Sequence, residues 1–304
     1  MRLQHIESLV TIADAGSIRA AAERLGKSQP ALTKVVRQAE DDLGVALFQR
    51  TSRGVVLTDM GERVLARART IMGEITRLDD EVSQLRGEQV GAVHVCLSPL
   101  AAVKIMPRAL ALFRKTHPKI EVHLTSGLFP GALKPLREGK TDLVIGPAPP
   151  AGMAREITVE RLLETPIVVI TSPGSAYAGA TSLGELTEAP WIMIGAPTGP
   201  GDIFRKPFVE NGLPPPHALT TSESYFGAIS LVESLGAVCT FPLRLLEDMQ
   251  RSAQIVPIPI REPIEPLQIS LMSRAGHPLT PAAEALANAI RRRAVGLVRG
   301  NNQN

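Results

Sequence analysis

The chain has 304 residues, of which 44% are hydrophobic and 21% charged, and its formal net charge is +3. This composition is too apolar for a disordered chain, and the length predicts about two domains, each with its own core. The two cysteines, Cys96 and Cys239, exclude a disulfide framework and a CxxC zinc site, so neither a metal nor a cofactor is expected. No apolar run reaches the roughly 18 residues of a membrane span, and the first residues lack the pattern of a signal peptide. We therefore expect a cytoplasmic protein without a membrane partner.

Three short helices are predicted within residues 1–44, and each ends at a glycine: Gly16, Gly26 and Gly44. Ser17 and Ser28 are good N-caps for the second and third helices, and Pro30 is tolerated in the first turn of the third. A helix, a tight turn at a glycine and a second helix, in this order, make up the helix-turn-helix pattern. Many helical hairpins share this spacing, so the pattern alone does not assign a function.

The charges of this region are unevenly distributed. Residues 1–90 are neutral overall, yet residues 17–37 carry five Lys or Arg side chains against the single acid Glu23. Such local asymmetry suits a polyanion, although a solvated helix face is the plainer explanation. The following segment, 45–58, has two apolar runs around a basic tip and predicts a β-hairpin, or wing. Arg50 and Arg53 at its tip are placed to meet phosphates or the minor groove.

A long helix is predicted from Thr58 and Asp59 onwards. Its apolar residues alternate at spacings of four and three, as in the a/d seam of a coiled coil. We expect this seam to mediate dimerisation, with packing onto its own domain as the alternative. The seam comprises Val64, Ala68, Ile71, Ile75, Leu78, Val82 and Leu85.

From Ala92 the pattern changes to short apolar runs that alternate with helical segments, which is typical of an α/β domain with a mixed or parallel sheet. Strands are predicted at residues 93–97, 120–124, 143–145, 167–170, 191–194, 236–240 and 267–272. Helices are predicted at about 99–115, 131–138, 202–211, 225–234, 242–249 and 281–297. Two lobes with crossovers near 162–166 and 260–267 fit this order.

Enzyme signatures are incomplete throughout the sequence. The phosphate-loop endings at 26–28 and 139–141 lack the required upstream glycine, and the start of a dinucleotide fingerprint at Gly199 has Phe204 at its third position. There is no GxSxG elbow and no HExxH motif. His94, Cys96 and His123 are neighbours if their strands pair, but polar residues on strands explain them better than a metal site. The chain is therefore not expected to be an enzyme.

Small and hydroxyl residues follow several predicted strands and open the next helices. They form four loops, at Ser98, 125–127, 198–201 and 222–224. Helix N-termini present free N–H groups and a positive dipole end, and in an open α/β sheet such loops converge where ligands bind. Ordinary helix capping is the alternative for each loop alone. Convergence of the four predicts a site for a small anion or carboxylate, with Phe129 and Tyr225 as an apolar wall or as core.

Residues 17–61, SIRAAAERLGKSQPALTKVVRQAEDDLGVALFQRTSRGVVLTDMG, resemble the DNA-binding domain of LysR-type transcriptional regulators. The resemblance implies a winged helix-turn-helix whose third helix enters the major groove. The implied DNA contacts are Ser28, Gln29, Pro30, Ala31, Thr33, Lys34, Arg37, Arg50 and Arg53. Gln29 is suited to pair with adenine, and Pro30 and Ala31 to touch a thymine methyl. The hydroxyl and basic side chains suit phosphates, which set register and affinity.

The C-terminal text is similar to the family's regulatory domain, which has two Rossmann-like lobes, as in periplasmic binding proteins, and an effector between them. The chain is also similar to family members that control aromatic-compound catabolism, and this similarity rests on the segments SPLAAVKIMPRALALF, LREGKTDLVI and APTGPG. The implied effector contacts are Ser98, Pro99, Leu100, Thr125, Ser126, Phe129, Thr198, Gly201, Ser224 and Tyr225. The implied partners are promoter DNA with an inverted repeat, a small-molecule effector, further copies of the chain in a dimer or homotetramer, and RNA polymerase.

The resulting fold class is α/β, with four segments. Residues 1–58 form the winged helix-turn-helix, 59–86 the linker and dimerisation helix, 87–91 a hinge, and 92–304 the regulatory domain. Lobe I is expected at about 92–163 and 267–304, and lobe II at about 164–266. The main alternative is a solute-binding module or enzyme on the same lobes, whose helical N-terminus serves only oligomerisation. A weaker alternative is a nonspecific nucleoid-type DNA binder.

Overall fold

The computed structural model describes residues 2–51, 54–196, 198–201 and 205–300. These residues form two compact units: residues 2–82 with Glu138–Lys140, and Ser83–Arg137 with residues 141–300. The elements of the N-terminal part are α1 (Leu3–Ala15), α2 (Ile18–Leu25), α3 (Gln29–Leu43), β1 (Phe48–Thr51), β2 (Gly54–Leu57) and α4 (Asp59–Leu85).

Capping residues set the bounds of α2 and α3 as the sequence predicts, and a glycine ends α1. The Ser17 hydroxyl accepts a hydrogen bond from the Ala20 N–H, and the Ser28 hydroxyl accepts one from the Ala31 N–H, each at 3.4 Å. Each helix ends at a glycine in the left-handed region, where residues with a Cβ are strained. These glycines are Gly16, Gly26 and Gly44, with φ of 62°, 61° and 70°.

A small apolar core joins the first helices to the start of α4. Leu9, Leu32, Leu47 and Leu65 are all fully buried in it. β1 and β2 pair antiparallel and form the predicted wing. The wing is fixed to the helix-turn-helix because the Val55 N–H donates to the carbonyl of Gly16 at 3.0 Å.

The second unit begins with an α/β lobe, lobe I. Its central sheet has the strand order β4-β3-β5-β12-β6. Strand β3 runs parallel to its two neighbours, β4 and β5. Strand β12 runs antiparallel to its two neighbours, β5 and β6. A π-helical turn, Ala101–Ile105, precedes α5. The elements are β3 (Ala92–Leu97), α5 (Met106–Phe113), β4 (Glu121–Ser126), α6 (Leu133–Arg137), β5 (Leu143–Pro147), β6 (Ile157–Thr165), β12 (Leu267–Arg274) and α10 (Pro281–Gly300).

The residues between β6 and β12 form lobe II. Its elements are β7 (Ile167–Thr171), β8 (Trp191–Ile194), α7 (Arg205–Glu210), β9 (Ala218–Ser222), α8 (Tyr225–Leu235), β10 (Cys239–Pro242), α9 (Leu243–Met249) and β11 (Val256–Pro257). β10 and β11 flank β7, β8 pairs parallel with β9, and a bridge between Trp191 and Val238 joins the two groups. The chain therefore crosses between the lobes twice, once between β6 and β7 and once between β11 and β12.

Some predicted elements differ from the structure for local reasons. The strand predicted at 236–240 is Cys239–Pro242, because Gly236 has φ 60° and caps α8. β6 was not predicted, since most of its side chains are not buried and its sequence shows no apolar run. The helix predicted at 202–211 is described only as Arg205–Glu210, and residues 202–204 lie outside the described residues. Among the helices described, none is both long and apolar enough to cross a membrane.

Candidate DNA-binding surface and effector pocket

The exposed face of α3 carries most of the predicted DNA contacts. Opposite it, Leu32, Val36 and Ala39 are buried in the core and fix the helix in place. The side chains of Ser28, Gln29, Pro30, Ala31, Lys34 and Arg37 are exposed, and Thr33 is half-buried. This arrangement suits a helix that inserts into a groove, because its outward side chains are free to reach base edges and phosphates.

Two of these contacts serve the helix itself. The Ser28 hydroxyl caps α3, and the Thr33 hydroxyl donates to the carbonyl of Gln29 at 3.0 Å. Gln29, by contrast, stands exposed in the first turn, at the end that enters a groove first in helix-turn-helix proteins. Arg50 lies on β1 of the wing, and Arg53 lies outside the described residues.

Glu40 is a positioning residue that the sequence did not reveal. Its Oε1 accepts hydrogen bonds from the N–H groups of Leu47 at 2.7 Å and Phe48 at 3.1 Å. A carboxylate near the end of α3 thereby holds the entry to the wing. No local sequence signal indicates this role, because the partners of Glu40 lie seven and eight positions away.

The structure divides the predicted seam of α4 into two parts. Ala68 is 2% exposed and belongs to the core of its own unit, so its assignment to dimer contacts was wrong. Val64 packs against the same core, and Ile75 is half-buried. The part of the seam that remains exposed consists of Ile71, Leu78, Val82 and Leu85.

A pocket of about 60 Å³ lies between the two lobes of the second unit. Two of the four predicted loops line it, through Ser98 and through Pro200 and Gly201, and the residues that follow the other two, Leu128 and Tyr225, line it as well. Strand residues complete the walls: Pro147, Ile167, Ile194, Thr240, Pro242, Leu267 and Ile269. Of the predicted effector contacts, the structure brings together Ser98, Pro99, Leu100, Gly201 and Tyr225.

The other predicted contacts do not line this pocket. Thr125 and Ser126 are still part of β4, which continues two residues beyond its predicted end, and Leu128 lines the pocket instead. Phe129 is 8% exposed and packs with Cys96 and Leu133 in a separate cluster, so it is a core residue. Phe129 is thus placed in the core rather than in the pocket wall, whereas effector contacts by Thr125 and Ser126 stay predictions.

Thr198 and Ser224 lie in the loops but do not contribute to the walls. Thr198 has φ 64°, an uncommon conformation for a residue with a Cβ. Ser224 is exposed, and its hydroxyl accepts from the Gly227 N–H at 3.1 Å, which caps α8. The side chain of Ser224 therefore caps α8, and its contact with an effector stays a prediction.

Ser98 links the pocket to a helix N-terminus. It is 2% exposed, and its hydroxyl accepts from the N–H of Ala101 at 3.4 Å. Its own N–H donates to Ile145 at 2.8 Å, which holds the loop against β5. The helix that follows points the positive end of its dipole at this pocket, as α8 does through Tyr225. A small ligand here meets hydroxyls and helix ends rather than charged side chains.

Gly201 allows a close approach of the chain beside the pocket. A Cβ at this position would lie 2.2 Å from the carbonyl oxygen of Ile194. Only glycine fits, so the loop from Thr198 to Gly201 reaches the wall without a side chain in between. The last glycine of the APTGPG segment is therefore required for steric reasons, whether or not a ligand binds.

His94 and His123 are neighbours in the sheet, as the pairing of their strands predicts. Their rings stack with centroids 4.8 Å apart, and both are about half exposed. His123 contacts the Glu121 carboxylate at 3.1 Å. Cys96 is buried among apolar side chains, and burial raises the pKa of its thiol. The described residues contain no group of three or more ligands placed to hold a metal ion.

Comparison with known proteins identifies both parts of the chain. The family model described as "Bacterial regulatory helix-turn-helix protein, lysR family" matches residues 3–62, and "LysR substrate binding domain" matches residues 86–295. The transcriptional regulator TdcA of Escherichia coli K12 is 26% identical over 285 residues, which cover 94% of this chain and 91% of TdcA. The RuBisCO operon transcriptional regulator of Allochromatium vinosum is 28% identical and covers 93% of each chain.

The fold is also that of a full-length LysR regulator. The structure of CbnR in complex with its target DNA matches with a TM-score of 0.70 and 22% identity, over 96% of this chain and all of that one. The matched relatives are transcriptional regulators rather than enzymes. With both family models matched across most of its length, the chain belongs to the LysR family of DNA-binding transcriptional regulators and carries the family's effector-binding domain.

Proposed function

We propose that the protein recognises an inverted repeat in promoter DNA by inserting α3 of two copies into successive major grooves. The observation that carries this proposal is the exposed face of α3, where Gln29, Lys34 and Arg37 project from a helix fixed by buried Leu32 and Val36. Gln29 supplies base discrimination, and the cations supply phosphate contacts. The structure of CbnR complexed with its target DNA shows that a protein of this fold binds DNA, which supports the proposal.

Replacing Gln29 with alanine should weaken specific DNA binding by roughly 5- to 100-fold, the range expected for one lost bidentate base contact. Nonspecific binding and its salt dependence should not change, because no charge is removed. The measurement is affinity for a selected operator and for a scrambled duplex at fixed salt.

The matched control for this experiment is Gln38→Ala. Gln38 is also exposed on α3, but it lies nine positions, or about 13 Å, further along the helix and is therefore far from the first turn, which enters the groove. We expect it to bind the operator like the wild type. Equal specificity ratios for Gln29→Ala and the wild type would reject the assigned role of Gln29.

The proposed assembly is a dimer or tetramer held in part by α4. In this proposal each chain has a hinge at 87–91, and the boundaries between its two lobes lie at about residues 163 and 267. On the surface of a single chain, α4 carries an apolar stripe that a second copy would cover. The stripe consists of Ile71, Leu78, Val82 and Leu85. RNA polymerase is the further partner that a promoter-bound regulator acts on.

The proposed effector is a small carboxylate that binds in the pocket between the lobes. The pocket is lined by hydroxyls and apolar side chains, and two helices begin at its walls, at Pro99 and Tyr225. Helix N-termini favour negative charge, and among the lining residues described none is basic. The ligand acts by binding one arrangement of the lobes better than another.

We further propose that the protein controls genes of aromatic-compound catabolism and that its effector is an aromatic acid. The apolar walls formed by Ile167, Ile194 and Ile269 suit a flat ring. A pocket of 60 Å³ is smaller than the roughly 300 Å³ or more of usual ligand sites, so an aromatic acid requires the lobes to separate. A carboxylate of a few heavy atoms fits the pocket as it stands.

Replacing Ser98 with alanine should weaken the response to a carboxylate effector about tenfold, because one buried hydrogen-bonding group is lost from the pocket. Operator binding without effector should be unchanged. The measurement is the dose response of operator binding to a panel of small monocarboxylates, including pyruvate and benzoate.

The control is Ser224→Ala, because Ser224 also caps a helix but does not line the pocket. Its dose response should match that of the wild type. An equal loss in both variants would show that helix capping rather than ligand contact sets the response, and a normal response in Ser98→Ala would contradict the site.

A further inference from the structure

Three of the described residues that line the pocket between the lobes carry a hydroxyl group: Ser98, Tyr225 and Thr240. Apart from these three and Gly201, the described lining residues are prolines, leucines and isoleucines. In a largely apolar pocket, the few polar groups fix the orientation of a ligand and decide which ligands bind. The three hydroxyls are therefore the side-chain groups available for hydrogen bonds to an effector.

Two of these hydroxyls are restricted in what they offer a ligand. Ser98 is 2% exposed, and its oxygen already accepts the N–H of Ala101, so only its proton is left for a further hydrogen bond. The Tyr225 hydroxyl oxygen is buried, so it has no surface open to a ligand. Neither side chain is an accessible hydrogen-bonding group with all its capacity free.

Thr240 has an accessible and unoccupied hydroxyl. It is only partly buried, and within the part of the chain that the structure describes no group donates to its hydroxyl or accepts from it. Its neighbours on β10, Cys239 and Phe241, are fully buried in the main apolar cluster. Successive side chains of a strand point to opposite faces, so Thr240 and Pro242 share the face that lines the pocket.

Thr240 and Ser98 belong to different lobes. Thr240 lies on β10 of lobe II, opposite Val169 of β7. Ser98 follows β3 of lobe I, and its N–H donates to the carbonyl of Ile145 on β5 at 2.8 Å. Each residue is thus held by the sheet of its own lobe. The pocket has a volume of about 60 Å³, so a ligand that fills it contacts walls from both lobes.

We infer that Thr240 is the hydrogen-bonding contact of lobe II for the effector, and that its hydroxyl donates to the carboxylate of the ligand. This inference rests on the proposed carboxylate site, where none of the described lining residues supplies a positive side chain. A carboxylate in apolar surroundings needs hydrogen bonds to remain ionised, and Thr240 is the accessible donor. A ligand that contacts Thr240 and the Ser98 loop binds most tightly to the arrangement of the lobes that presents both.

The test is calorimetric titration of the full-length protein with acetate, propionate, butyrate and pyruvate. Thr240→Val removes the hydroxyl and keeps the shape of the side chain. We expect the acids that bind the wild type to bind this variant at least about tenfold more weakly, the loss expected for one hydrogen bond to a charged group. Thr240→Ser keeps the hydroxyl and loses the methyl group, and its affinity should stay within about threefold of the wild type.

The matched control is Thr158→Val. Thr158 is also a strand threonine whose hydroxyl has no partner among the described residues, but it lies on β6 and does not line the pocket. This variant should bind the acids like the wild type. Without ligand, the melting temperature of Thr240→Val should equal or exceed that of the wild type, because valine suits a strand. A clear decrease would reveal a structural partner for the hydroxyl and overturn the inference.

A second measurement tests whether Thr240 helps the ligand to select an arrangement of the lobes. At saturating acid, the change in operator affinity depends only on how differently the ligand binds the two arrangements. Without its hydrogen bond to lobe II the ligand discriminates less, so this change should be smaller in Thr240→Val than in the wild type. Weaker binding with an undiminished response at saturation would overturn this role of Thr240.

The remaining outcomes separate this inference from the proposed function. If Thr240→Val binds the acids like the wild type, the carboxylate site stands and the role of Thr240 is overturned. If Thr240→Ser loses as much affinity as Thr240→Val, the methyl group rather than the hydroxyl makes the contact, which also overturns the inference. If no acid of the panel binds the wild type at millimolar concentration, the carboxylate class fails together with the inference. Operator binding by α3 is unaffected by any of these results.

Discussion

Replacing Gly61 with alanine is expected to unfold the N-terminal unit and abolish operator binding. Gly61 is buried in the first turn of α4, and a Cβ there would lie 2.0 Å from the carbonyl oxygen of Leu47 and 3.2 Å from its Cα. The obstacle is backbone, which no change of rotamer can relieve. The same carbonyl accepts the Thr58 N–H at 3.0 Å, and the Leu47 side chain is fully buried, so the segment has little room to move.

The expected loss of stability for Gly61→Ala is about 3 kcal/mol or more, at the upper end of overpacking effects. This is a large fraction of the stability of a small domain. The measurement is thermal unfolding of the full-length variant together with operator affinity. The transition of the N-terminal unit should move to lower temperature or disappear, while that of the regulatory unit stays in place.

Gly73→Ala on the same helix is the control, because the nearest atom to its added Cβ is 3.9 Å away. Alanine has the higher helix propensity, so this variant should be unchanged or more stable by up to about 1 kcal/mol. Wild-type stability and affinity in Gly61→Ala would contradict the close junction between α4 and the wing.

Leu78→Asp is expected to have the largest effect on assembly. Leu78 is 59% exposed in the single chain and lies within the exposed stripe of α4. Burying one leucine side chain against a partner stabilises the dimer by about 1.5–3 kcal/mol. The substitution removes this contribution from both copies at once. A buried carboxylate in its place adds a desolvation penalty. The dimer dissociation constant should therefore rise at least about 100-fold.

Sedimentation velocity measures this change directly, and operator binding should decrease with it because the two half-sites are no longer bound together. Thr76→Asp places the same charge on an exposed site of α4 that faces away from the stripe, and it should assemble normally. An unchanged dissociation constant for Leu78→Asp would show that α4 does not join the copies.

The N-terminal elements could be predicted closely because their signals are local. Ser17 and Ser28 cap the helices that follow them, and glycines at positive φ end them within the same few residues. The role of Glu40 could not be predicted, because it depends on where the chain returns after Gly44. Ala68 was misassigned for the same reason: a heptad pattern does not show which part of a seam its own domain covers.

The position of the pocket beside the ends of strands could be predicted, but most of its lining residues could not. Strand ends were the weak point, since β4 continues to Ser126 and moves the loop contact to Leu128. Phe129 illustrates a second limit, because an aromatic side chain beside a loop can face either the pocket or the core. The walls contributed by β7, β10 and β12 come from lobe packing, which no local pattern encodes.

Selection of duplexes from a random-sequence library by the full-length protein, at near-physiological salt, tests the central claim most directly. We predict enrichment of an inverted repeat whose half-sites lie about 10 base pairs apart, or a multiple of that distance. Gln29→Ala should no longer enrich it, whereas Gln38→Ala should. Binding of the library without any shared sequence would contradict recognition through α3 and would favour a nonspecific DNA binder.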